Sequence, residues 1–332
     1  MPKPQKPHSP QVAVVGCGHW GKNLVRNFHE LGALARVHDV NKDVAKAMES
    51  AYGVSAAPFS NLLADDHIRG VVIATPAEKH AEMAKAALRA GKHVFVEKPL
   101  ALGLPEAEAL CSLAEGSGLV LMVGHVLQYH PAFEKLKEIC EAGTLGGIRY
   151  AYSHRLNLGR IRTEENILWS FAPHDISMIL DLLGDDPKSV SATGQSYLDH
   201  DLADVTTTHL VFPRHRGAHI FVSWQHPFKE QRLVVVGDEG MAVFDDTLDW
   251  REKVSVFPHR VDWDNGVPVP AKAERQTIPI ETAEPLNLEC RHFLDCIAGN
   301  ATPRTDGREG LRVLRVLDAA QRSIDTGNVI RF

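Results

Sequence analysis

The side chains with the most chemistry to offer are Lys98, in the run Val96-Glu97-Lys98-Pro99-Leu100, and His174, in Phe171-Ala172-Pro173-His174-Asp175. An ammonium steadies negative charge developing on an oxygen, and burial that lowers its pKa lets it take a proton as well. An imidazole exchanges a proton near neutral pH, with Asp175 beside it to orient or tune it. Together they suit the removal of a hydroxyl proton, provided that a partner accepts the accompanying hydride. Gly16-Cys17-Gly18-His19-Trp20-Gly21 points to that partner. It lies between the β-rich run Gln11-Val12-Ala13-Val14-Val15 and the helical pattern Asn23-Leu24-Val25-Arg26-Asn27-Phe28. In that setting the glycines turn the chain, admit a pyrophosphate and let the helix pack closely, while the helix N-terminus offers N–H groups to the anion. A second run, Ala35-Arg36-Val37-His38-Asp39-Val40, carries Asp39 roughly 20 residues beyond the glycines, where a carboxylate accepts hydrogen bonds from ribose hydroxyls. That acid favours NAD over NADP.

Further strand and helix patterns follow: 70–76 before a helix around 80–90, 93–97 before a helix around 104–114, and a strand at 119–124. Apolar runs alternating with amphipathic helices describe a parallel sheet covered on both faces, with ligands at the carboxyl ends of its strands. Thr75-Pro76, Glu97-Lys98-Pro99 and Gly124-His125 all fall at such ends. Beyond about residue 127 the pattern changes to short strands at 149–157, 189–197, 205–212, 218–224, 232–236 and 241–244, with hairpin turns at 213–217 and 237–240. Helices at 287–298 and 308–324 close the chain. The reading is α/β: an NAD-binding Rossmann domain over 10–127, then an α+β substrate-binding and oligomerisation domain over 128–332 with an open, mainly antiparallel sheet. An open apolar sheet face calls for a cover, such as another subunit. In 173–183, Pro173 suits a first helical turn, which sets His174 and Asp175 near a helix N-terminus at a cleft.

Composition narrows the partners. A chain of 332 residues, 44% apolar, is long enough for two cores, and a net charge of −6 argues against nucleic acid or an anionic membrane as the main partner. Cys17, Cys111, Cys140, Cys290 and Cys296 form no CxxC pair, so no disulfide framework, structural zinc or zinc-dependent alcohol chemistry is indicated, and a reducing cytoplasm fits. The first eight residues lack the apolar core of a signal peptide, and no later run reaches membrane-spanning length.

The ordered set Gly16-x-Gly18-x-x-Gly21, Ala74-Thr75-Pro76, Glu97-Lys98-Pro99 and His174 resembles the glucose–fructose oxidoreductase and inositol dehydrogenase (Gfo/Idh/MocA) family, over nearly everything from Gln11 onward. The resemblance implies a Rossmann domain followed by a mainly antiparallel α/β substrate domain whose sheet is buried in a homodimer or homotetramer. It implies cofactor contacts from Gly16, Gly18, His19, Trp20, Gly21, Asp39, Thr75, Pro76, His80, Glu97 and Lys98, with Lys98 reaching substrate beside the nicotinamide. Many relatives carry an aspartate four residues before the histidine; here that position is Ser170, which leaves Lys98 and His174 as the proton-handling pair and Ser170 to hydrogen-bond substrate. Arg155, Arg160 and Arg162 cluster before His174, and guanidinium groups suit phosphate or carboxylate. That segment resembles the nucleotide-sugar branch, the UDP-N-acetylglucosamine-type 3-dehydrogenases, with His125, Asn157, Asn166, Trp169, Ser170 and Asp175 also expected at the substrate. The expected reaction is oxidation of a sugar hydroxyl by NAD, at C3 of a UDP-N-acetylhexosamine or its uronate. A dehydrogenase of free sugars, inositols or other polyols remains the alternative, as does a noncatalytic NAD- or sugar-sensing protein.

Overall fold

The computed structural model describes residues 10–159, 161–198 and 201–332, and the chain forms two compact units. One comprises residues 10–126 together with Glu284–Leu314; the other comprises the described residues of Leu127–Ala283 and Arg315–Phe332. Within the span 128–332 expected as one domain, residues 284–314 group with the first unit.

In the first unit the elements are β1 (Val12–Val15), α1 (Gly21–Glu30), β2 (Leu34–His38), α2 (Lys42–Tyr52), β3 (Ser55–Ala56), α3 (Phe59–Ala64), β4 (Gly70–Ile73), α4 (His80–Arg89), β5 (His93–Glu97), α5 (Leu104–Ser117) and β6 (Leu121–Gly124). The six strands form a parallel sheet in the order β3-β2-β1-β4-β5-β6. β1, β4 and β6 are buried at every position, which is why their sequences are unbroken apolar runs rather than alternating ones. α1 buries Leu24, Val25 and Phe28 on one face. The returning segment is held by the same helix: Phe293 meets the rings of Phe28 and Phe95 edge-on at 6.4 and 5.7 Å, Arg26 pairs with Glu284, and Asn287 donates to Asn27 at 2.9 Å. At the β6 edge, Thr305 accepts from the Val123 N–H at 2.8 Å and its hydroxyl donates to the Val123 carbonyl at 2.7 Å.

The second unit contains α6 (Pro131–Glu141), β7 (Ile148–Leu156), α7 (Ile167–Leu183), β8 (Ser189–Gln195), β9 (Val205–Val211), β10 (Gly217–Ser223), β11 (Glu230–Gly237), β12 (Met241–Asp245), β13 (Val254–Phe257), β14 (Arg260–Asp264), β15 (Val267–Ala271) and β16 (Gln276–Ile278). The chain closes with α8 (Pro285–Ile297) in the first unit, α9 (Gly307–Thr326), and β17 (Ile330–Arg331) in the second. Nine strands form one sheet, β16-β13-β12-β11-β7-β10-β9-β8-β17, antiparallel throughout except between β7 and β10. β9 shows the period-2 logic: Thr206, Thr208 and Leu210 are buried while Thr207, His209 and Val211 are exposed. α7 packs against β7, β9 and β10, covering one face. The other face is richer in aromatic and imidazole rings than the expected apolar surface, with Tyr152 stacked on His219 at 5.2 Å and His154 edge-on to Phe221 at 5.8 Å. β14 and β15 form a separate hairpin turned by Asn265-Gly266, both at positive φ, with Val261 and Trp263 exposed. No helix among the described residues is long and apolar enough to cross a membrane.

Candidate active site

The glycine turn is built by contact. Gly16 sits at φ +85°, and a Cβ there would come within 2.6 Å of the Ala74 carbonyl oxygen. A Cβ on Gly21 would lie 1.8 Å from the Gly16 carbonyl oxygen, so the turn and the start of α1 admit only hydrogen at that position. Gly18 differs: a Cβ there would meet no protein atom within 4 Å. The space it faces is open, as an approaching pyrophosphate requires, and α1 begins three residues later at Gly21, its N-terminus at the turn. Asp39 is oriented by the same turn. Its Oδ2 accepts from the Cys17 N–H at 2.7 Å and its Oδ1 from the Asn41 N–H at 2.8 Å, leaving further lone pairs for ribose hydroxyls. These residues fit a dinucleotide.

Trp20 extends the turn past β4 to the end of β5, its indole Nε1 donating to Glu97 Oε1 at 2.5 Å. The ends of β1, β2 and β5 are thus joined, and Lys98 is the first residue past β5, half-buried between buried Glu97 and Pro99. Burial pushes the Glu97 carboxyl up to about 7, against the opposing pull of the Trp20 hydrogen bond and the Lys98 charge. A raised carboxyl pKa means that the fold favours the protonated form, so this stabilisation is complete below the ordinary carboxylate range and is lost as pH rises through about 7. Glu97→Gln should therefore gain stability over the wild type as pH rises from 5 to 8, by up to about 3 kcal/mol. Thermal melts of the NAD-free proteins at those pH values check it; a pH-independent difference would be the contrary result.

Other expected cofactor and substrate residues occupy different roles. His19 and Pro76 are exposed and Thr75 is half-buried at the β4 end. His80, expected at the cofactor, is 1% exposed, and both its ring nitrogens meet backbone carbonyls. His125 is buried, with Nδ1 2.6 Å from Glu309 Oε2.

In the second unit α7 begins at Ile167, because the Asn166 side chain caps it by accepting from the Trp169 N–H at 3.2 Å. Pro173 is therefore inside the helix, and the expectation that it opens the helix is corrected. His174 stands half-buried on the second turn, with Ser170 buried one turn earlier. Arg155 and Asp175, expected at the substrate, are instead paired in the core at 8% and 1% exposure. Arg155 Nε donates to Asp175 Oδ2 at 2.8 Å, its Nη2 to Oδ1 at 3.1 Å, and Ser153 adds its hydroxyl. Asn166 and Trp169 both donate to Gln321 Oε1, at 2.8 and 3.0 Å, so the indole edge is fixed and only its ring face remains for a ligand. Arg162 is more open, its side chain 41% exposed beside Glu165 at 3.1 Å. Asn157 is half-buried just past β7, and Arg160 lies outside the described residues.

The model of an oxidoreductase family with an NAD-binding Rossmann fold matches residues 11–125, and that of the GFO/IDH/MocA C-terminal domain matches residues 133–243. The chain belongs to the GFO/IDH/MocA family. It is an NAD-dependent oxidoreductase. Among curated relatives, the UDP-N-acetylglucosamine 3-dehydrogenase of Acidithiobacillus ferrooxidans is 28% identical over 92% of this chain and 94% of that protein. A solved structure of that enzyme superposes with a TM-score of 0.84 at 26% identity, covering 95% of this chain and 97% of its own. The scyllo-inositol 2-dehydrogenase (NAD(+)) of Bacillus subtilis is 29% identical over 98% of this chain and 97% of that protein.

Within this GFO/IDH/MocA chain, the contacts that sequence reasoning missed are those of long range. Glu309 on His125 and Gln321 under Trp169 are separated from their partners by 184 and 152 positions, and no local pattern announces them.

Proposed function

We propose that this protein oxidises a secondary hydroxyl of a sugar to a ketone, the leading substrate being a UDP-N-acetylhexosamine or its uronate at C3. The observation that carries the reading is the linkage of the glycine turn to Asp39 on one side and to Glu97 on the other, which places Lys98 at the carboxyl edge of a nucleotide-binding sheet. Bound NAD supplies the hydride acceptor. Lys98 hydrogen-bonds the substrate oxygen and steadies the charge that grows on it as the C–H bond is lost. His174 takes the hydroxyl proton, so that the carbon surrenders a hydride and the oxygen a proton in one coupled event. Ser170 hydrogen-bonds the sugar, and Arg162 and Arg160 serve the phosphates. The half-buried rings of Tyr152, His154, His219 and Phe221 support burial of that sheet face in a homo-oligomer.

The likeness to the Acidithiobacillus enzyme supports a nucleotide sugar, while the likeness to the Bacillus inositol dehydrogenase supports a free polyol by the same chemistry. NADH formation at 340 nm with UDP-N-acetylglucosamine, its uronate, glucose and myo-inositol separates the two. Turnover is expected with the UDP sugars. Turnover confined to the free polyols would replace the first reading by the second, and none with any of the four would remove both.

A further inference from the structure

His80 is buried at the start of α4, directly behind the two loops that follow β4 and β5. Its Nδ1 lies 2.7 Å from the Pro99 carbonyl oxygen and its Nε2 lies 2.8 Å from the Thr75 carbonyl oxygen. Both distances are those of well-formed hydrogen bonds, and both oxygens can only accept. One ring therefore spans the Thr75-Pro76 loop and the Lys98-Pro99 turn, the carboxyl-edge segments that follow the paired strands β4 and β5.

We propose that His80 is a positioning residue for Lys98: through its Nδ1 bond to the Pro99 carbonyl it fixes the peptide that follows the lysine, and so the place of the ammonium. The inference rests on the assignment of Lys98 to the hydride-transfer step. A neutral imidazole has a single N–H and serves one carbonyl fully; the imidazolium serves both. Burial and the neighbouring Lys98 charge favour the neutral ring, while the two carbonyls and Glu78 favour the cation. A neutral ring with its proton on Nδ1 keeps the bond that restrains the lysine turn. Nothing in this role requires His80 to touch cofactor or substrate.

The geometry separates the two bonds experimentally, because an Asn side-chain amide nitrogen stands near the place of Nδ1 and a Gln amide nitrogen near that of Nε2. His80→Leu, His80→Asn and His80→Gln are compared in the full-length protein with saturating NAD and the fastest of the four alcohols named above. His80→Leu should lower kcat by roughly 10- to 100-fold, the loss expected from displacing a catalytic group by about an ångström, with NAD affinity changed less than about threefold. His80→Asn should recover most of that loss and His80→Gln little of it. In a Lys98→Ala background, His80→Leu should cost nothing more, since there is no ammonium left to place. Equal kcat in all three variants and the wild type, or losses that simply add to that of Lys98→Ala, would overturn the proposal. Normal turnover of Lys98→Ala alone would instead remove the catalytic assignment beneath it. Should the leucine variant not fold, nitrogen NMR of 15N-histidine-labelled wild type decides: a His80 ring protonated at Nδ1 supports the tie, and a neutral ring protonated only at Nε2 overturns it.

Discussion

Replacing Lys98 by alanine is expected to lower kcat by about a thousandfold while leaving NAD affinity within about threefold of the wild type. As hydride leaves a carbinol carbon, charge accumulates on the attached oxygen, and a preorganised cation lowers that barrier far more in a partly enclosed site than in water. Lys98 meets the structural requirement: it is half-buried, its neighbours on both sides are buried, and the turn carrying it is tied through Glu97 to the glycine loop. The turn around Gly16, Gly18, Gly21 and Asp39 is shaped by close backbone approach and by the Asp39 carboxylate, which Lys98→Ala leaves in place, so cofactor affinity should survive. Lys98→Arg should not restore the rate, because a planar fork cannot replace a compact ammonium at a fixed point. Single-turnover absorbance for the chemical step, with NAD binding followed by tryptophan fluorescence, checks both halves. Near-normal turnover in Lys98→Ala would exclude the lysine from the mechanism.

The nucleotide-binding half was legible because its signals are local. Each buried strand of the parallel sheet is an apolar run, and the glycine signature with Asp39 closes within one strand–helix–strand unit, as the Cys17–Asp39 bond shows. The second half was legible in its strands and hairpins, where alternation is strong, but not in its edges. β14 and β15 carry an Asn-Gly turn, yet Pro268 and Pro270 argue against an interior strand and their pairing satisfies only a detached hairpin. The start of α7 illustrates a contest between two valid signals. Pro173 reads as a first-turn residue, but Asn166 is a better cap, and the apolar Ile167 and Leu168 that follow it are buried. The return of residues 284–314 to the first unit depends on Glu284, Asn287 and Phe293 meeting α1 from more than 250 positions away, which periodicity cannot report.

Asp175→Ala should destabilise the protein by about 3–5 kcal/mol, the cost of leaving a buried guanidinium without its partner. Arg155 and Asp175 were natural candidates for substrate recognition, since arginine suits phosphate and an acid beside a histidine suits proton relay. Their geometry assigns them otherwise: two bonds run from the guanidinium to the carboxylate, the Ser153 hydroxyl adds a third, and both side chains are nearly sealed from water. Because α7 carries both Asp175 and His174 while β7 carries Arg155, this pair pins the helix to the sheet and with it the angle at which His174 is presented. A well-packed apolar replacement, Arg155→Met with Asp175→Leu, should recover most of the lost stability, since removing both charges also removes the cost of burying them. Urea unfolding of the single and double variants measures the difference. If the arginine were held for a phosphate instead, Asp175→Ala would leave unfolding within about 0.5 kcal/mol of the wild type and would raise only the KM for the nucleotide sugar.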